Sequence, residues 1–145
     1  MASTSPPATL TRCMSRMMHR ESALLAAFLA GEIDNANFRH ADHVRVGFEL
    51  LSSHDFATAA HRFSMALREI ARRAGNPAAY HDTITIAFLA LIAERSAIGE
   101  FAGVEDFLQR NPDLLDKSVL ERWYAPERLR STLARRVFIL PEVTR

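Results

Sequence analysis

Apolar residues recur along this chain at helical spacing, in four long stretches separated by glycine, asparagine and proline. The first stretch runs from about Arg16 to Ala30 and stops at Gly31, a residue suited to a helix C-terminus. The second begins near Asn37, which suits an N-cap, and runs to about Ser52. Its apolar side carries His40, His43, Val44, Gly47, Leu50 and Leu51. The third opens at Asp55 and ends at Gly75, with Phe56, Ala60, Phe63, Leu67, Ile70 and Ala74 stepping by four and three. The fourth takes Asn76 as cap and Pro77 as first helical residue, and runs to about Ile98 before Gly99. Its stripe is His81, Ile84, Phe88 and Leu91, with Arg95 at the wet end.

Shorter pieces follow: Val104 to Arg110, a turn starting at Asn111-Pro112, Lys117 to Trp123, and another turn starting at Pro126. Val137 to Leu140 could form a strand but has no partner strand. The pattern predicts an all-α protein, with a four-helix-bundle-like core and short C-terminal helices packed over it. Residues 1–14 read as a disordered head, polar and small with Pro6-Pro7, and residues 15–145 as one helical domain. Met14, Met17 and Met18 are alternative starts of translation.

Composition supports this picture and narrows the function. Alanine is abundant while Val and Ile are few, which favours helix over strand. A chain of 145 residues suits one domain with a proper core. The net charge of +1 argues against a nucleic-acid partner, which usually needs a strong basic excess. The apolar run Ala23 to Ala30 has the minimum length of a signal-peptide core, but Glu21 stands at its edge and no small-x-small site follows. No run is long enough for a membrane span, so neither a membrane partner nor a secreted location is expected, and the cytoplasm is the default. The lone Cys13 lies near the head and offers no nucleophilic site. Phosphate-loop, dinucleotide and serine-nucleophile motifs are absent.

The chemistry that remains lies in the histidines. His40 and His43 are three apart and share a helix face. His81 falls on the apolar side of the fourth helix, in its predicted first turn, where the helix dipole disfavours an imidazolium. If the second and fourth helices are neighbours, the three imidazoles converge. Bundles build metal sites this way, and three imidazoles leave a coordination position open. Nitrogen ligation suits Zn, Cu, Ni or Fe, without choosing among them. Thr85, four residues after His81, Tyr80 and Arg45 are candidates to orient the histidines or a bound ligand. H-x-x-H alone is a weak motif that lacks the glutamate of H-E-x-x-H, and a histidine on an apolar face is often a core residue. His19, His54 and His61 read as solvated; Tyr124 reads as packing, and Glu49, Glu94 and Arg95 as surface charges. Arg122, Arg128, Arg130, Arg135 and Arg136 make the C-terminal third locally basic, which reads as a solvated face or an anion patch.

The segments Phe38-Arg39-His40-Ala41-Asp42-His43-Val44-Arg45 and Tyr80-His81-Asp82-Thr83-Ile84-Thr85 carry a resemblance. So do Asn111-Pro112-Asp113-Leu114-Leu115, Trp123-Tyr124, the Leu129, Ser131, Ala134-Arg135 stretch and Pro141. With these, the chain resembles an uncharacterised family of small helical bacterial proteins with F-x-H-x-x-H-hydrophobic-R and Y-H-x-T patterns. That resemblance brings no activity with it and supports the choice of His40, His43 and His81.

Two functions are expected from these residues. One is a small metal-binding protein or metal-dependent enzyme acting on a small molecule through His40, His43 and His81. The other is a metal-free helical module, binding a ligand or a protein partner, whose histidines are buried core groups. A homo-oligomer formed through the Met- and Leu-rich side of the first helix is a third expectation.

Overall fold

A computed structural model describes residues 21–142 of the chain. The head, Cys13, His19, the methionines near the start and the beginning of the first predicted helix lie outside the described residues. The protein is all-α. Among the described residues seven α-helices form: α1 (Ala23–Leu29), α2 (His40–Ser53), α3 (Phe56–Arg73), α4 (Asp82–Ile98), α5 (Val104–Arg110), α6 (Pro126–Leu129) and α7 (Thr132–Arg136). Three 3₁₀ turns, Pro77–Ala79, Pro112–Leu115 and Lys117–Arg122, complete the path. No helix among the described residues is long and apolar enough to cross a membrane.

The layers follow from which faces are apolar. The described core has two parts. Leu25 and Phe28 of α1, Val46 and Leu50 of α2, Phe63 and Ile70 of α3 and Leu89 of α4 make one. Val44 of α2, Phe88, Leu91 and Ile92 of α4, and apolar residues from Phe107 to Ile139 make the other. Thus α2 and α4 form a central wall, with α1 and α3 on one side and the C-terminal segment on the other. A helix in that position must be apolar on more than one side, and α4 buries Thr83, Thr85, Phe88, Leu89, Leu91 and Ile92. Gly47 lets the wall close: a Cβ there would stand 3.2 Å from both Leu89 and Ile92.

Local chemistry sets the helix ends. Ser22 caps α1 by accepting the Leu25 N–H, and Asp55 caps α3 by accepting the Thr58 N–H. Gly31 (φ 68°) and Gly75 (φ 75°) follow α1 and α3 in the left-handed conformation, where glycine carries no Cβ penalty.

Three expectations are corrected. First, α2 starts at His40 rather than after Asn37, because the Asn37 amide donates to the Asp34 carboxylate and is spent in a preceding turn. Second, the inward face of α3 is Ala59, Phe63, Ala66, Ile70 and Ala71, while Phe56 and Ala74 are exposed. Third, Asn76-Pro77 opens only a 3₁₀ turn; Tyr80 and His81 are extended, and the α-helix begins at Asp82. Val137–Leu140, which has no partner strand among the described residues, is extended chain held by side chains. The Thr83 hydroxyl donates to the Val137 carbonyl (2.9 Å) and accepts the Ile139 N–H (3.1 Å), and the Tyr124 hydroxyl donates to the Ile139 carbonyl (3.0 Å).

Arg95 is not a wet-end charge. Its guanidinium grips Asp113 through two bonds of 2.5 and 2.7 Å, and Arg122 adds a third at 2.9 Å. The pair fastens the end of α4 to the Pro112–Leu115 turn. The hydrogen bonds from Arg95, with help from Arg122, hold the Asp113 carboxyl down at about 2. Asp113→Ala is expected to lower stability by about 1–2 kcal/mol, a charge-assisted bond discounted for partial exposure. Urea denaturation at pH 7 measures it. The carboxylate's contribution is complete above the ordinary aspartate value of 3.8 and is lost as the pH falls through about 2.

Candidate functional site

The N-terminal ends of α2 and α4, the Asn76–His81 connector and one face of α3 enclose a cleft of about 530 Å³. Phe63, Leu67 and Ile70 of α3 and Phe88, Leu89 and Ile92 of α4 supply its apolar depth. Arg39, Lys117 and Arg135, all exposed, stand at its rim. His40, His43 and His81 all line it, as do Tyr80 and Thr85. The second and fourth predicted helices are indeed neighbours, which brings the three histidines to one place.

The three imidazoles do different work. His81 is the N-cap of α4. Its Nδ1 accepts the Ile84 N–H at 3.1 Å, as a Ser or Asp oxygen would, and its Nε2 donates to the Leu129 carbonyl at 2.7 Å. The two bonds together select the Nε2–H tautomer and occupy both nitrogens. His40 donates from Nε2 to the Leu114 carbonyl at 2.8 Å, and its ring meets Phe88 edge-on at 4.9 Å. The turn that presents Leu114 is the one that Arg95 fastens through Asp113, so His40 is positioned by the C-terminal segment.

His43 differs from both. Its ring lies against Phe38 with centroids 4.2 Å apart and stands 6.4 Å from the His40 ring. Among the described residues its nitrogens take no hydrogen-bond partner, yet they are not sealed in the interior. Burial, then the neighbouring His40, lowers its pKa to about 4; Asp42 opposes this and Lys117 adds to it. At neutral pH His43 is therefore an uncharged imidazole facing the cleft.

Among the described residues, no three His, Cys, Asp or Glu side chains are grouped so as to hold a metal ion. His81 would have to surrender its cap or its carbonyl bond to become a ligand.

The other candidates fall as follows. Thr85 is buried and lines the cleft. Tyr80 also lines it; burial raises the pKa of its hydroxyl, and Arg68 lies over its ring at 4.1 Å. Arg45 does not line the cleft and instead forms a two-bond pair with Glu105 of α5. Asp42 accepts the Arg39 backbone N–H and Asp82 pairs with Arg68, so both carboxylates are engaged. His54 is held by the Leu50 carbonyl at the end of α2, and His61 is exposed on α3. Sequence reasoning missed Lys117 and did not connect Arg39 or Arg135 with the histidines. These cations come from three separate segments, and only the fold brings them to one rim. No family model, curated protein or solved structure matches this chain.

Proposed function

We propose that this protein is a small-molecule-binding module and that the cleft between α2, α3 and α4 is its site. One observation carries the reading: His43 lines an apolar cavity with a largely buried imidazole, uncharged at neutral pH, whose nitrogens take no hydrogen-bond partner among the described residues. Leaving such a group partly desolvated costs stability unless a partner satisfies it. The cavity volume lies in the range of small-molecule pockets, which combine apolar walls with a few polar groups that fix orientation. His40 and His81 serve as framework, each tied to a carbonyl of the C-terminal segment.

The test is a fragment screen read by thermal stabilisation, run on wild type and on Ile84→Trp. Ile84 is partly exposed and lines the cleft, so an indole there fills the mouth without entering the core. Fragments at one hundred times Kd should stabilise wild type by about 2.7 kcal/mol, and the Trp variant by much less. Equal stabilisation of both proteins places the fragments elsewhere and contradicts the proposal. Elemental analysis of untagged protein checks the competing metal reading. About one Zn, Cu, Ni or Fe per chain, lost in His81→Ala, would replace the proposed module with a metal protein.

A further inference from the structure

The lining of the cleft is unusual in charge. The chain holds 17 Asp and Glu against 18 Lys and Arg. Among the described residues, the cleft is lined by three of the cations and by none of the carboxylates. The nearest acidic groups are already used. Asp42 is bonded to the Arg39 N–H, Asp82 to Arg68, and Asp116 to the Ser118 N–H and hydroxyl. Among the described residues Arg39, Lys117 and Arg135 form no ion pair, and the Arg135 guanidinium donates to the Ala78 carbonyl. Two helices of 14 and 17 residues also begin at this cleft, and their N-terminal dipole ends add to the positive field.

Charge and burial vary together across the site. The cations are exposed at the rim, whereas Phe63, Leu89 and Ile92 are buried at the floor. A ligand complementary to both has an anionic head and an apolar body. We infer that the cleft takes an amphiphilic organic acid, a carboxylate or phosphate ester whose head meets Arg39, Lys117 and Arg135 and whose hydrocarbon part lies on the α3–α4 floor. This rests on the reading of the cleft as a small-molecule site. Lys117 and Arg39 line the same cleft as His43, so a head group held by these cations shares the cavity with that imidazole. His43 supplies a directional hydrogen bond, and the cations supply the charge preference.

The experiment titrates the full-length protein with octanoate, octyl phosphate, 1-octanol and octylammonium, following the His43 imidazole by NMR. One or both acids should bind at least about tenfold more tightly than 1-octanol, the sum of two or more partly exposed charge contacts. Octylammonium should bind most weakly. Lys117→Ala and Arg39→Ala should each weaken acid binding about fivefold and leave 1-octanol unchanged. Both positions are exposed, so these variants keep the fold. The preferred acid identifies the head group. Equal binding of acid and alcohol, or variants that leave their ratio unaltered, overturns the anionic inference and leaves the cleft as a binding site. Failure of all four probes to move His43 overturns the cleft reading itself.

Discussion

His81→Ala is expected to lower the stability of the protein by about 2–4 kcal/mol, the sum of a lost helix cap and an unpaired buried carbonyl. The cap is the bond from the Ile84 N–H to Nδ1, at the start of a helix buried on two sides. The carbonyl is that of Leu129, which accepts Nε2–H at 2.7 Å in buried surroundings. Urea denaturation at pH 7 measures the loss. His81→Asn should recover about 1 kcal/mol by restoring a capping oxygen. Alanine within 0.5 kcal/mol of wild type would show that His81 has no framework role.

The second large effect is acid lability centred on His43. Its folded pKa of about 4 lies below the ordinary value of 6.5, so between those values the unfolded chain binds the extra proton. Stability therefore rises with pH across this window. The contribution is fully present above 6.5 and is lost as the pH falls toward 4. A shift of this size amounts to about 3 kcal/mol. His43→Gln removes the titration and should flatten the stability profile between pH 6.5 and 4 relative to wild type. The carboxylates Asp113 and Glu69, held at about 2, begin to change their contribution near their ordinary values of 3.8 and 4.5, at the acid end of this window, and taking the difference between the two proteins cancels them. Parallel profiles for wild type and His43→Gln would contradict an uncharged, desolvated His43.

The helix framework was legible because its signals are local. Asp55 caps from its own first turn, Gly31 and Gly75 sit where a left-handed residue is needed, and Val104 to Arg110 is marked by its apolar spacing. Signals settled by distant partners were not legible. Asn76-Pro77 reads as a helix start, yet the α-helix waits until Asp82, because His81 is drawn to a carbonyl 48 residues away. On α3 the small residues Ala59 and Ala66 face inward, a choice made by the closeness of α1 and α2 and invisible in the periodicity of large residues.

The candidate site divides in the same way. Helical spacing placed His40 and His43 on one face, and their convergence with His81 needed only the α2–α4 contact. Their chemical differences depend on Leu114 and Leu129, carbonyls presented by the C-terminal segment. Arg45 was a reasonable reach from His43 in sequence, but Glu105 of α5 competes for it. The rim cations at positions 39, 117 and 135 share no motif, and only the folded chain assembles them.

His43 is proposed as the ligand-facing group of the cleft. A long-range proton–nitrogen spectrum of the imidazoles, recorded at pH 7 during titration with an eight-carbon amphiphile, tests it most directly. His43 is expected to start as a neutral ring whose nitrogens shift in a saturable way, while His54 and His61 stay unmoved. A His43 already protonated at pH 7, or a titration that leaves its nitrogens in place while other imidazoles respond, would contradict it.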